Sequence, residues 1–245
     1  MRTLLAVALI AIGVTPAQAE GPKKTLHLPI TLHWVTELTL HHNGQPLTSW
    51  ITPDAVRRDV LPELNRIWSP AAIQFDLKST FQRPAKRPTD SEHWTHQIES
   101  AKRNASGKSD PARITAYDQL IDYGDERTDT INVYLVPFLG STSQGHTRRT
   151  LRRILIGQMT DKTHPGTIRP VQLVEPLPFK EGSFSRTLAH ELGHVLNLSH
   201  PAKSGQKIEL RLMGGKHPGY QLTPAEVRKA RQAAKDLLQK LPLLP

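Results

Sequence analysis

Three histidines and one glutamate fall within eleven residues near position 190: His190, Glu191, His194 and His200. On a helix, side chains four residues apart share a face, so His190 and His194 can bind a single cation. Glu191 follows His190 directly, and its carboxylate can reach a water molecule bound to that cation. His200 joins the set only if the chain turns back sharply after His194, and Asn197 lies where that turn must begin. This arrangement predicts metal-assisted hydrolysis.

The segment that carries these residues is expected to be a helix with a second, apolar face. Four aliphatic side chains fall on the side away from the two histidines: Leu188, Leu192, Val195 and Leu196. Such a helix packs one face into a core while the other face holds ligands. Either Ser183 or Ser185 can cap its start, because a serine side chain accepts hydrogen bonds from the first backbone N–H groups. The alternative is a surface helix with incidental histidines, but such helices rarely end at an asparagine and then supply another histidine.

The run resembles the zinc signature of the metzincin metallopeptidases, His-Glu-x-x-His-x-x-Gly-x-x-His. The four residues named above match it position by position, and Asn197 stands where the family has glycine. Asparagine is the side chain that best tolerates the left-handed backbone after glycine. By this resemblance His190, His194 and His200 hold one Zn²⁺ per chain, Glu191 is the catalytic general base, and the partner is a protein or peptide substrate.

The resemblance also implies a methionine-containing turn beneath the metal. Met213 is the candidate, because it is the only methionine after His200. Some metzincins have a tyrosine two residues after this methionine that assists in the transition state. Gly215 occupies that position here, and the nearby Tyr220 is the alternative candidate for the role. Three residues beyond Met213 are expected to shape the substrate pocket beside the scissile bond: Lys216, His217 and Tyr220.

The N-terminus predicts export. Arg2 gives a positive start, residues 4–14 form a short apolar run, and Ala17-Gln18-Ala19 is a small-residue cleavage site. The apolar run is too short to span a bilayer as a stable helix. We therefore expect a signal peptide over residues 1–19, no membrane span after its removal, and a periplasmic or extracellular protein. The chain contains no cysteine, which fits a bacterial exported protein better than an animal extracellular one.

Composition is that of one globular domain, with 37% hydrophobic and 22% charged residues. Residues 20–245 are expected to form a single catalytic domain, with an upper subdomain over about 20–197 and a lower one over about 198–245. The formal net charge of +10 either serves solubility through a few basic loops or favours anionic neighbours, such as the polymers of a cell-envelope surface. The sequence has no nucleic-acid-binding motif, so no specific nucleic acid partner is expected.

Apolar patterning predicts an α/β (α+β) fold. Strands are expected over residues 25–35, 72–77, 130–136, 153–157 and 171–174. One helix begins at Thr52 with Pro53 in its first turn, and a last helix runs from the capping box of Thr223 and Glu226 to about Leu241. This order is similar to that of the metzincin catalytic domain. The resemblance implies a twisted, mostly parallel sheet with an active-site helix and a small C-terminal subdomain ending in a helix.

Two further segments carry open alternatives. Residues 83–129 are expected to be a surface insertion with a short helix over 90–105, in which His93 and His96 are either a second metal site or solvated side chains. Residues 140–147 are predicted to be a flexible loop. The resemblance implies that a segment near this loop, or near Val171, lies along the cleft and binds a peptide by strand addition.

Two other classes of function compete with a zinc-dependent endopeptidase. One is an exported zinc-binding protein without hydrolytic activity, and the other is a basic protein that binds the envelope or another polyanion. The presence of all four residues of the motif favours the endopeptidase.

Overall fold

The computed structural model describes residues 23–42, 45–49, 51–86, 93–94, 98, 111–139, 145–158, 183–201, 210–214 and 219–241. Several predicted features lie outside these residues: the signal peptide, the strand over 171–174, His96, and the pocket residues Lys216 and His217. None of the helices within the described ranges combines the length and the apolarity that a membrane crossing requires.

The described residues form a five-stranded sheet in the order β4-β1-β5-β7-β6. Its strands are β1 (Leu26–Thr36), β4 (Ile73–Pro84), β5 (Ile131–Phe138), β6 (Gly145–Arg148) and β7 (Arg153–Gln158). β1 is parallel to β4 and β5, β5 is parallel to β7, and β6 pairs with β7 in the antiparallel direction. A separate antiparallel pair consists of β2 (Leu40–His42) and β3 (Gln45–Leu47). The predicted α/β class with a mostly parallel sheet is confirmed.

The connections from β1 to β4 and from β4 to β5 contain helices, and further helices follow β7. The helices are α1 (Pro53–Ala55), a π-helical turn (Val56–Val60), α2 (Leu61–Trp68), α3 (Pro111–Leu120), α4 (Phe184–Val195) and α5 (Pro224–Lys240). Thr52 caps α1 and the Thr223–Glu226 capping box opens α5, as predicted. The π turn ends two residues before Pro62, which has no N–H with which to continue an α-helical ladder.

The sheet is buried on both faces, and all eight residues of β5 are buried. One face forms the main core with α2, α4 and α5. The other face forms a second core with β2, β3 and α3, in which Tyr117 and Tyr134 are fully buried. The site helix α4 therefore lies on the main-core side of the sheet.

The predicted surface insertion over residues 83–129 is wrong for its described part. Trp94, Ile98, Tyr117 and Leu120 are buried in the second core. β4 also continues to Pro84, well beyond the predicted end at residue 77, because it pairs with β1 along that whole length. Pairing between strands far apart in the sequence determines this boundary, and local apolar alternation does not reveal it.

The predicted loop over residues 140–147 is also wrong where the structure describes it. Residues 145–148 form β6, which pairs with β7 at the edge of the sheet. All four of its residues are only half-buried, as expected of a polar edge strand, so the sequence shows no apolar alternation there.

Candidate metal and catalytic site

The site is built on α4, which begins and ends by recognisable local interactions. Ser183 is the N-cap, and its side chain accepts a hydrogen bond from the Arg186 N–H, which decides between the two candidate serines. The four aliphatic side chains predicted for its apolar face are all buried in the main core. The opposite face of the helix carries His190 and His194, as the sequence predicts.

The turn after α4 is a Schellman motif. Asn197 adopts a left-handed conformation with φ of 62°. The Leu198 N–H donates to the Gly193 carbonyl at 2.8 Å, and the Asn197 N–H donates to the His194 carbonyl at 3.1 Å. Both bonds satisfy carbonyl groups that the end of a helix leaves unpaired. The turn reverses the chain and returns His200 towards α4.

His190, His194 and His200 converge. Their ring centroids lie 4.7, 5.0 and 4.9 Å apart, and the Nε2 atoms of His190 and His200 are separated by 3.0 Å. Within the described residues, these three form the group that can hold a metal ion, with one ligand nitrogen from each inside 4.8 Å of the others. Two nitrogens bound to one tetrahedral zinc lie about 3.3 Å apart. The triad therefore has the spacing of a metal site.

Backbone carbonyls fix the orientation of two of the imidazoles. His190 Nδ1–H donates to the Leu212 carbonyl at 2.7 Å, and His194 Nδ1–H donates to the Leu198 carbonyl at 3.0 Å. This leaves the Nε2 lone pair of each ring for a ligand role. Burial lowers the pKa of His190 to about 4 and also lowers the pKa of His194. Both rings are therefore neutral near pH 7, which is the form that binds metals.

Glu191 lies on the same helix and is only 7% exposed. Burial raises the pKa of its carboxyl group, against the opposing effects of His194 and of a hydrogen bond from Thr147. The Thr147 hydroxyl donates to Glu191 Oε2 at 2.5 Å and lies 3.1 Å from the Glu191 carbonyl oxygen. A carboxyl group with a raised pKa is suited to taking and returning a proton near neutral pH.

Met213 packs beneath this helix. It is 1% exposed, and a Cβ atom on Gly193 would lie 2.5 Å from its Sδ atom. The residue before it, Leu212, supplies the carbonyl that holds His190, and its own N–H donates to the Gln221 carbonyl at 2.8 Å. The turn over residues 210–214 thus supports the helix that carries His190 and His194.

Two other residues named in the sequence analysis, Tyr220 and His93, lie within the described chain. Tyr220 packs, partly buried, against the main core, and its phenol is close enough to Arg66 of α2 to contribute to the raised pKa of that guanidinium, which the hydrogen bond to Glu63 chiefly causes. His93 is exposed and contacts the Trp94 ring, with centroids 5.5 Å apart.

Sequence reasoning missed three residues that contact the site from β6 and the turn after it. Gly145 and Thr147 contact Glu191, and Arg149 Nη2 donates to the Leu198 carbonyl at 3.4 Å. Gly145 and Thr147 are two positions apart, as residues on one face of a strand are, and Arg149 begins the turn after it. That alternation carries no apolar signal, so it becomes visible only when the pairing of β6 with β7 is known.

Comparison of the sequence with protein-family models gives no match, and comparison with curated proteins gives none. Among solved structures, the chain is similar to one described as "Structure of a chaperone-substrate complex", with 12% sequence identity and a TM-score of 0.41. That match covers 88% of this chain and 35% of the other, so this chain spans little more than a third of its length. A likeness of this strength carries no argument about fold or function. The chemistry of the site therefore rests on its own geometry: three imidazoles converge beside a buried carboxyl group.

Proposed function

We propose that the chain is a zinc-dependent endopeptidase of the metzincin type, exported to the periplasm or the extracellular space. The observation that carries the proposal is the convergence of His190, His194 and His200 beside the buried Glu191. The order of the elements supports it as well, because a mostly parallel sheet is followed by the site helix α4 and by the C-terminal helix α5.

The donor set fits zinc. Three imidazole nitrogens are the ligands of many hydrolytic zinc sites, and carbonyl partners at Nδ1 are the usual support for such ligands. Hard cations such as calcium and magnesium prefer oxygen ligands, which the triad does not offer. When bound, zinc supplies a Lewis acid and lowers the pKa of a coordinated water towards about 7.

Each residue of the site then has a distinct role. His190, His194 and His200 hold the metal, and the carbonyls of Leu212 and Leu198 keep two of those rings oriented. Glu191 accepts a proton from the attacking water and returns it to the leaving amine of a peptide. The turn that contains Met213 supports the helix from below.

Cleavage-site profiling of the purified chain without residues 1–19 tests the proposal. A broad peptide library is incubated with the protein, with the protein plus a chelator, and with the chelated protein after zinc is restored. We expect cleavage that the chelator abolishes and zinc restores. Zinc binding without cleavage of any peptide contradicts the proposal and indicates the non-hydrolytic zinc-binding function. Salt-sensitive binding to a polyanion without cleavage indicates the envelope-binding function.

A further inference from the structure

The edge strand β6 presents Gly145 and Thr147 to the side chain of Glu191. The two residues are two positions apart, so their Cβ directions lie on the same face of the strand. His146 and Arg148 point to the opposite face, where the Arg148 guanidinium binds the Asp118 carboxylate of α3 at 3.1 and 2.8 Å. One face of this short strand therefore lies against the general base of the proposed reaction.

Gly145 lies against the carboxylate of Glu191. A Cβ atom at position 145 would be 2.6 Å from both Cγ and Oε1 of Glu191 and 2.8 Å from its Cδ. Real Cβ atoms essentially never approach another atom so closely, so the Glu191 side chain occupies the space that any larger residue would need. Glycine at this position allows the carboxylate to lie directly on the strand.

Thr147 binds the same carboxylate through its hydroxyl group. Its distance of 2.5 Å to Oε2 is that of a charge-assisted hydrogen bond. The same hydroxyl oxygen is 3.1 Å from the backbone carbonyl of Glu191. Because it contacts both the side chain and the backbone of one residue, Thr147 restricts the rotation of the carboxylate relative to α4.

The position of that hydroxyl is itself constrained. Thr147 pairs with Ile154 of β7, and Arg148 pairs with Arg153. Beyond the strand, Arg149 donates to the Leu198 carbonyl, which is also the acceptor for His194. β6 is therefore joined to the sheet, to α3 and to the turn after α4.

We propose that Thr147 is a positioning residue for Glu191, and that Gly145 provides the space in which the positioned carboxylate lies. The inference rests on the proposed function, because its consequence for catalysis requires that Glu191 act as the general base. Thr147 holds Oε2 and so sets the plane of the carboxylate that takes the proton of the attacking water.

Peptide-cleavage kinetics on zinc-loaded protein test the catalytic part. Thr147→Val keeps the shape of the side chain but removes the hydroxyl group, and we expect kcat to fall by about 10–100-fold with KM and zinc content unchanged. Thr147→Ser restores the hydroxyl and should stay within about threefold of the parent. Thr31→Val is the matched control, since it removes a strand hydroxyl that bonds to Ser79 and Thr130 and not to Glu191. Full kcat in Thr147→Val overturns the proposal.

A double-mutant cycle, measured as melting temperatures of zinc-stripped protein, tests the contact between Thr147 and Glu191 independently of activity. Thr147→Val should lower the melting temperature of the parent, because it leaves the buried Glu191 carboxyl without its donor. The same substitution should have no such effect in a Glu191→Leu background. Equal shifts in the two backgrounds overturn the proposal. A parent that cleaves no peptide contradicts the proposed function alone, and the cycle still decides whether Thr147 holds Glu191.

Discussion

At the scale of single residues, the three histidines differ in what orients them. His190 depends on the carbonyl of Leu212, which is distant in sequence, whereas His194 depends on Leu198, in the turn that follows its own helix. His200 is exposed. Its position follows from the conformation of that turn. The ligand geometry is therefore shared between α4, the turn after it and the segment over residues 210–214.

Replacing any one of the three histidines should remove zinc. Loss of a residue that merely orients a ligand typically costs about 10–100-fold in metal affinity, so loss of the ligand itself should cost more than about 100-fold. We expect this for His190→Ala, His194→Ala and His200→Ala, measured by competition with a chromogenic chelator. His27→Ala is the control, because His27 is an exposed histidine bound to Asp76 at 2.9 Å. Parent-like zinc affinity in His200→Ala means that the third ligand is wrong.

Glu191→Gln should separate proton transfer from metal binding. Glutamine is nearly isosteric and can still accept the hydrogen bond from Thr147, so zinc content and melting temperature should hardly change. It cannot take a proton, and loss of a general base typically lowers the rate by about 10²–10⁴-fold. Peptide cleavage and zinc content measured on one preparation check both expectations. A variant that loses its zinc shows that Glu191 is a ligand.

At the scale of elements, the turn after α4 determines whether the third ligand can reach the first two. Asn197 holds a left-handed conformation that costs a β-branched residue about 1–2 kcal/mol. Asn197→Val should therefore lower the free energy of unfolding by about that amount and weaken zinc binding, while Asn197→Gly should preserve both. Denaturant unfolding and zinc titration are the measurements.

Ala72 supplies a matched control for that prediction. It is also left-handed, with φ of 47°, but it lies between the turn over Ser69–Ala71 and β4. Ala72→Val should lower the free energy of unfolding and leave the zinc affinity of the folded protein unchanged. If Asn197→Val likewise leaves zinc affinity unchanged, the turn does not control the position of His200.

The elements also show which parts of the structure the sequence can predict. Caps and helical periodicity are local, so Thr52 and the Thr223–Glu226 box mark their helices correctly, and one of the two candidate serines, Ser183, caps α4. The left-handed turn at Asn197 is also local, and the sequence predicts it correctly. Strand β6 could not be predicted, because its polar residues become a strand only by pairing with β7. The contact of Thr147 with Glu191, 44 residues away, depends on that pairing.

At the scale of the whole molecule, the second core contains a buried histidine that links three strands. His33 of β1 stacks on Tyr134 of β5 with centroids 4.3 Å apart, and on Phe81 of β4 at 5.7 Å. Its Nε2–H donates to Asn132 Oδ1 at 2.9 Å, and its Nδ1 accepts from Arg83 Nε at 3.2 Å. Burial, aided by the positive charges of Arg83 and Arg153, lowers its pKa to about 4.

His33 should make folding stability depend on pH below about 6.5. Its pKa in the folded state lies below the unfolded value of 6.5, so the unfolded chain binds more protons between pH 6.5 and 4. The free energy of unfolding should therefore be constant above that window and fall by about 3 kcal/mol across it because of this residue. His190 and His194 add to the same slope in zinc-free protein. The difference in slope between the parent and His33→Gln, measured by urea unfolding, isolates His33, and equal slopes would contradict the assignment.

The topology of the sheet has a consequence for the order of events during folding. Ile30 of the interior strand β1 pairs with Leu77 of β4 and with Ile131 of β5, so the sheet forms only when distant parts of the chain meet. Pairing between such distant segments is slow. The elements that form the site, β6, α4 and residues 210–214, are therefore expected to assemble after the sheet has formed. An unfolded chain lacks these supports, so under the proposed function zinc should bind the native state preferentially. At a free zinc concentration a thousandfold above its Kd, this preference adds about 4 kcal/mol to the free energy of unfolding. In a zinc enzyme built this way, metal binding would mark the folded state and stabilise it against unfolding.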